Sequence, residues 1–371
     1  MSINQAKEPL FIVGAPRSGT TLLTSFLASH PNIISGAETQ FFNKIGIGTK
    51  SLNEALKDKN WPTAAIALME KRLTLSGQSV LDLYGKTPDY LMTYLSARPP
   101  SIKAMLESIV IPESFDPAQI RWLEKTPNHL NHLTELGESF PNAKVILIHR
   151  DFRDSASSIP KLPWATDSIV ENAALITSWF DNLDSRQDDI LFVKYEDLVL
   201  DCKGTLERVF EFIGEDFFDE ILMRSNAADV TTKGEPWKKD VHREIDTSNL
   251  SKWKSSMPTD VLKQVEAITH QILKRYSYDV SFEDNFNKLK ILKPRLLDMR
   301  GLDEYAHVLN SRQFSLSYTE GEQSVIYVNE TSVIKTVGAI YGIVKATLFD
   351  KKKIYLLGKK SKLLALFAEY L

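Results

Sequence analysis

Gly14 and Gly19 bracket Ala15-Pro16-Arg17-Ser18, and Thr20 and Thr21 follow at once. An apolar run from Leu10 to Val13 leads in, and an amphipathic stretch from about Gly19 leads out. That order is strand, small-residue loop and helix start. Backbone N–H groups at a helix start lack intrahelical partners and sit at the positive end of the dipole, so they take an anion. The glycines allow close backbone approach, and Ser18, Thr20 and Thr21 add hydroxyl donors. The G-x-x-x-x-G frame is that of a Walker loop, but Thr20-Thr21 stands where Lys-Ser/Thr would be. The loop's cation is Arg17 instead. This points away from a β/γ-phosphate grip and towards a different activated anion.

Further along the chain stand other groups with chemistry to offer. Glu38, in Ser35-Gly-Ala-Glu-Thr-Gln40, follows the short apolar Ile33-Ile34. A carboxylate after a strand can face the sheet's C-terminal edge and accept a hydroxyl proton. The alternative is an N-cap or surface carboxylate. Lys125 lies in Glu124-Lys-Thr-Pro127, with a surface lysine as its plain reading. His129 is a rival base, or a helix-start histidine without a catalytic role. Arg150 follows the apolar run Lys144–His149, and Ser158 comes eight positions on. An arginine fork suits phosphate oxygens, although Arg-Asp after a strand is often a surface ion pair. Tyr195, in Lys194-Tyr-Glu-Asp-Leu198, is a candidate near a ligand or a core aromatic at a strand end.

The elements that must position these groups alternate along the chain. Residues 10–35 read as strand, loop, helix and a short second strand. Residues 50–115 carry Leu52, Leu56, Ile66, Met69 and Leu73 at roughly helical spacing. Trp122-Leu123 is a short strand, and His129–Phe140 a helix. Lys144–His149 and Ile190–Lys194 are apolar runs bounded by turn signals, as in buried parallel strands. Residues 168–186 and 202–214 are helices. Strands alternating with helices predict an α/β fold, a parallel sheet wrapped on both faces. From about residue 283 the character changes. Residues 314–334 alternate like a small antiparallel sheet. Residues 335–371 carry eight Lys against Asp350 and Glu369. That excess suits an anionic lipid surface as well as a solvated face.

Composition bounds the function. A chain of 371 residues holds one large domain, or one domain plus an appendage. Hydrophobic residues at 43% and charged residues at 25% fit a globular protein, and a net charge of −3 gives no reason to expect a nucleic-acid partner. Cys202 is the single cysteine, so no intrachain disulfide forms, which favours a reducing compartment. The first strand begins within about ten residues of Met1 without a secretory signal or membrane span. The expectation is a cytoplasmic protein. Seven His and one Cys show no metal-binding spacing.

The loop Ala15-Pro-Arg-Ser-Gly-Thr-Thr21 resembles the 5′-phosphosulfate loop of sulfotransferases that use 3′-phosphoadenosine 5′-phosphosulfate (PAPS), in the form of the tyrosylprotein-sulfotransferase-like and bacterial-type branch. Arg150 and Ser158 match the family's 3′-phosphate segment, and Val193–Leu198 is similar to its post-strand segment, whose Tyr lies near the nucleotide. Leu250-Ser-Lys-Trp253 resembles a C-terminal segment in which Lys252 matches a cofactor-contacting lysine. The resemblance implies PAPS as donor, no metal, and in-line transfer to a hydroxyl or amine. It implies Glu38 as base and Lys125 and Arg17 as the cations of the leaving group. It implies Arg17, Ser18, Gly19, Thr20, Thr21, Arg150, Ser158, Tyr195 and Lys252 as PAPS contacts. Acceptors of the branch include glycans, lipids, secondary metabolites and peptide tyrosine. The family's serine in the nucleotide-covering loop has no evident counterpart around 231–243.

The resemblance spans roughly residues 10–280, so 1–283 is expected to form the sulfotransferase domain and 284–371 a small α+β extension. The extension's alternating segment asks for a partner surface: the core, a second subunit in a homodimer, or a membrane-bound acceptor. Two competing functions remain at this level. A P-loop kinase of small molecules would need the missing Walker Lys, and a non-catalytic module would not need Arg17, Glu38 and Lys125 together.

Overall fold

The computed structural model describes residues 7–45, 50–70, 79–113, 119–161, 168–180, 183, 190–224, 245–282, 326–327 and 356–357. These fall in two compact units. The first is drawn from residues up to Arg150 and from Leu183–Leu250. The second is drawn from Asp151–Asn182 and from Ser251 onward.

The first unit is built on a five-stranded sheet in the order β2-β3-β1-β4-β5. The strands are β1 (Leu10–Gly14), β2 (Ile33–Ser35), β3 (Arg121–Lys125), β4 (Lys144–His149) and β5 (Ile190–Lys194). Every pairing is parallel. Ile12 pairs with Lys125, Gly14 with Ile148 and His149 with Lys194, so the C-terminal ends of these strands share one edge. β1 lies where the strand order turns from one side to the other, the place where open α/β sheets bind ligands.

Alternation along the strands sorts the side chains between layers. Leu10 and Ile12 pack in one cluster with Leu123, Ile146, Ile148 and Val193. Helices Thr20–Leu27 and Cys202–Ile213 cover this face with Leu23, Phe26, Val209 and Phe210. Phe11, one residue out of phase, meets Trp122 and Phe140 at ring distances of 5.4 and 5.3 Å. Each fully buried side chain of this size contributes about 1.5–3 kcal/mol. The helical stretch 50–115 breaks into short helices, among them Lys50–Lys57, Trp61–Glu70, Pro88–Ser96 and Ile102–Val110. Thr87 and Ser101 set two of their starts by accepting the N–H groups of Tyr90 and Ala104 at 3.2 and 3.1 Å.

In the second unit, helix Ile169–Phe180 packs on Phe152–Ser158 and on Thr259–Arg275. Phe152, Phe180, Tyr276 and Tyr278 form an aromatic cluster there.

Three expectations need adjustment. The expected helix 129–140 is a 3-10 turn, Pro127–His132, followed by an α-helix, Leu133–Ser139. The His129 side chain is tied inward at this point, as described below. The expected helix 168–186 is described only over Ile169–Phe180. In the tail, Ile326–Tyr327 pairs with Leu356–Leu357 in parallel, whereas the alternation suggested antiparallel neighbours. A period of two marks a strand's faces and says nothing of its partner's direction. The rest of 284–371 lies outside the described residues. No helix among the described residues is long and apolar enough to cross a membrane.

Candidate active site

The glycine loop joins β1 to helix Thr20–Leu27 through two left-handed residues, Arg17 (φ 67°) and Gly19 (φ 98°). For Arg17 that conformation is uncommon and is found at strained functional turns. Such turns fold successive N–H groups into a concave anion seat. Gly19 caps the helix without any side-chain cap, so the helix start stays available to a ligand. A Cβ on Gly14 would come within 2.3 Å of the Ile148 carbonyl, and one on Gly19 within 2.4 Å of the Tyr195 ring. Both positions therefore demand glycine. The Ser18 hydroxyl, expected to face the anion, is fully buried and donates to the Ala15 carbonyl at 2.8 Å. Its work is to close the loop. Arg17 is exposed, and Thr21 is half-buried.

Glu38 and Lys125 meet beside this loop. Lys125 Nζ donates to Glu38 Oε1 at 2.5 Å and reaches Thr21 Oγ1 at 3.5 Å. Both side chains are buried. Glu38 Oε2 accepts from Gln40 Nε2 at 2.9 Å. The pair thus links the end of β3, the segment after β2 and the helix that starts at the loop. Neither residue is the surface group that its plain reading offered.

Arg150 and Tyr195 stand at the ends of β4 and β5. The Arg150 guanidinium lies 4.9 Å from the Tyr195 ring centre and donates to the Asn249 carbonyl at 2.5 Å. Burial pushes the Tyr195 hydroxyl above its usual range, against the pull of Arg150 and Arg17. Tyr195 thereby lies against both Gly19 of the loop and Arg150. Two cations, an uncapped helix start and an aromatic face are what a phosphate-bearing nucleotide requires.

The sequence model described as "Sulfotransferase family" matches residues 9–220, more than half of the chain, and takes in the loop, Glu38, Lys125, Arg150 and Tyr195. The chain belongs to the sulfotransferase family. It is an enzyme that transfers a sulfuryl group, and the kinase and non-catalytic readings give way to this one. The sulfotransferase is 28% identical over 290 residues to protein-tyrosine sulfotransferase 1 of Danio rerio, a match covering 74% of each chain. It is 28% identical over 285 residues to protein-tyrosine sulfotransferase 1 of Homo sapiens, covering 73% of this chain and 69% of that one. Among solved structures, the sulfotransferase domain from the Synechococcus PCC 7002 olefin synthase matches with a TM-score of 0.51 at 23% identity. That match covers 74% of this chain and 97% of that chain, and it supports the fold.

The remaining expected contacts of the sulfotransferase lie in the second unit. Ser158 ends helix Phe152–Ser158, and Lys252 is an exposed residue just before helix Trp253–Ser256. The stretch 225–244, which includes the expected nucleotide-covering loop, lies outside the described residues. No cluster able to hold a metal ion occurs among the described residues.

Three features of the sulfotransferase site escaped the sequence. Tyr84 is half-buried and donates to the Ala37 carbonyl at 2.5 Å, next to Glu38. A Cβ on Gly36 would fall within 2.3 Å of its ring, so that glycine makes room for Tyr84. Burial, with Glu124 and Glu38 near, pushes the Tyr84 hydroxyl well above its usual range, so it stays a donor. Gln40 adopts a left-handed conformation (φ 50°) to reach Glu38. Glu124 and His129 are fully buried and face each other, with Glu124 Oε2 and His129 Nδ1 2.9 Å apart. Nothing in the spacing of residues 50–115 marks Tyr84. The Gly36 two residues before Glu38 was the available sign of close packing.

Proposed function

We propose that PAPS is the sulfuryl donor and that Glu38 is the base that deprotonates a hydroxyl acceptor. The observation that carries this reading is the contact chain Glu38–Lys125–Thr21, which ties a carboxylate and a cation to the anion-binding loop. The left-handed turn at Arg17, the uncapped start at Gly19, and Thr20 and Thr21 suit the 5′-phosphosulfate. Arg150 suits the 3′-phosphate, with Tyr195 beneath it. When bound, PAPS supplies an activated sulfuryl group and 3′,5′-ADP as its leaving group.

The protein's own residues then have two tasks. Glu38 takes the acceptor's proton as the acceptor oxygen bonds to sulfur. Lys125 and Arg17 offset the charge that develops on the oxygen departing from sulfur. Fixed charges of this kind in a water-poor site are the main catalytic resource of group transfers that need little covalent chemistry. His129 is not the base in this reading, because both ring nitrogens face protein atoms.

The acceptor we infer is a hydroxyl of a glycan, lipid or other small molecule. A second reading, peptide tyrosine, is favoured by the names of the relatives at 26–28% identity. The test is an acceptor screen with PAPS read by mass spectrometry, with tyrosine peptides beside phenols, glycans and lipids. The donor is tested separately. 3′,5′-ADP should raise the melting temperature far more than AMP, and equal shifts would sink the assignment of Arg150.

A further inference from the structure

We propose that Glu124, Thr126 and His129 are positioning residues for Glu38, forming a clamp that holds the backbone after the base. This rests on the reading of Glu38 as the base. Glu38 lies on an irregular segment between β2 and the short helix Phe41–Lys44. Such a segment cannot hold a carboxylate to the tolerance of catalysis unless its N–H groups are tied.

Four consecutive N–H groups after Glu38 are tied by side chains. Thr39 N–H donates to Glu124 Oε1 at 3.3 Å, and Gln40 N–H to Thr126 Oγ1 at 3.3 Å. Phe41 N–H donates to Thr39 Oγ1 at 3.2 Å, and Phe42 N–H to His129 Nε2 at 3.3 Å. The two hydroxyls in turn donate to one oxygen, Glu124 Oε1, at 2.8 Å from Thr39 and 2.6 Å from Thr126. His129 Nε2 accepts an N–H, so its lone pair points there and the ring proton sits on Nδ1, towards Glu124 Oε2. Each group has a defined direction, and Glu124 is the acceptor on which all of them converge.

The sequence makes this arrangement compact. Glu124 and Lys125 are neighbours at the end of β3 and point to opposite faces. Lys125 takes Glu38, and Glu124 takes Thr39. The two adjacent residues of one strand thus fix two adjacent residues of the base segment. Burial alone would raise the Glu124 carboxyl, but His129, Thr126 and Thr39 bring it below its usual range. It remains a charged acceptor inside the protein. Gln40 completes the segment by bridging Glu38 and Asn43, with its Oε1 accepting from Asn43 Nδ2 at 2.8 Å.

The test compares Thr126→Val with Thr126→Ser in the full chain. Valine keeps the shape and removes the hydroxyl, whereas serine keeps the hydroxyl. Turnover is read as 3′,5′-ADP release from PAPS with 4-nitrophenol supplied, and amide hydrogen exchange is followed over residues 39–42. Thr126→Val should lower kcat on the order of 10²-fold, the effect of about 1 Å of misplacement. It should leave 3′,5′-ADP affinity unchanged and speed exchange at Gln40, and Thr126→Ser should restore both kcat and protection. Wild-type kcat or unchanged exchange in Thr126→Val overturns the clamp. So does a fall in kcat matched by a fall in nucleotide affinity, or a failure of serine to restore. Glu38→Gln in the same assay separates the two ideas. Retained turnover there overturns the base, while exchange at residues 39–42 still decides the clamp.

Discussion

Two buried charge clusters, one in each unit, use the same kinds of residue for different ends. In the second unit, Arg153 forks onto Asp151 through Nε and a terminal nitrogen at 2.9 and 2.8 Å, and its other nitrogen reaches Glu266 at 2.5 Å. Its guanidinium lies 3.7 Å from the Trp253 ring centre. The Trp253 indole donates to Asp151, and its backbone N–H to Asp154. The second oxygen of Glu266 accepts the N–H groups of Ser281 and Phe282. The bonds of Arg153 to Glu266 and of Trp253 to Asp151 and Asp154 join segments distant in sequence, so the cluster works as a fastener. In the first unit, Lys125 joins Glu38 but also reaches a hydroxyl of the anion loop. The lesson is that a buried ion pair is assigned by where its outer bonds lead. Bonds into the core hold shape, and bonds into a glycine loop at the sheet's C-terminal edge mark the pair we propose for chemistry.

The sharpest way to break this contrast is Glu38→Gln. It keeps the shape but cannot take a proton, so turnover should fall about 10²–10⁴-fold, with 3′,5′-ADP affinity little changed. Turnover near normal would move Glu38 into the class of fasteners. The mirror experiment is Arg153→Met, which leaves Asp151 and Glu266 buried without their cation. Removing one partner of a buried pair costs about 3–5 kcal/mol, read as a lower denaturant midpoint at an unchanged slope. Unchanged stability with lost turnover would place that cluster in the chemistry instead. Arg150→Ala sharpens the boundary between the two motifs, since Arg150 and Asp151 are adjacent. A ligand at a hundredfold excess over Kd stabilises by about 2.7 kcal/mol. In Arg150→Ala the thermal shift given by 3′,5′-ADP should drop to that given by AMP.

The last test is a pH slope. Burial, with the Lys194 ammonium near, pushes His149 down to about 3 from an ordinary 6.5. The unfolded chain therefore binds a proton near pH 6.5 that the folded chain refuses until about 3. This contribution is fully present above pH 6.5 and is lost as the pH falls, at about 1.4 kcal/mol per pH unit. His149→Asn should flatten the stability profile between pH 6 and 4, and an unchanged slope would refute the assignment.

Much of the frame was legible beforehand. The runs at 10–13, 144–149 and 190–194 are bounded by turn residues and carry at least four consecutive apolar residues each, and these became three strands of the sheet. The glycine loop, Arg17 and Arg150 stood out as candidates because phosphate chemistry restricts backbone and charge within a few residues. Less was legible where function depended on distant side chains. Arg150-Asp-Phe-Arg-Asp154 read as a phosphate segment, yet Asp151, Arg153 and Asp154 serve the Trp253 fastener. A charge near a strand end looks the same in sequence whether its partner is a ligand or a tryptophan a hundred residues away.

The sequence by itself determined the parallel α/β frame, the anion loop, the sulfuryl-transfer family and the candidates Glu38 and Lys125. Local rules suffice for the frame and the loop, because strand periodicity and helix-start geometry act over a few residues, while the family and the roles offered for Glu38 and Lys125 come from the resemblance of short motifs. Only the tertiary structure decided that Ser18 closes its own loop, that Tyr84 occupies the space left by Gly36, and that Glu124 and His129 hold the segment after Glu38. The last of these depends on which strands become neighbours. Pairing β3 between β1 and β2 sets Lys125 against Glu38 across 87 residues of chain, a contact no local pattern encodes.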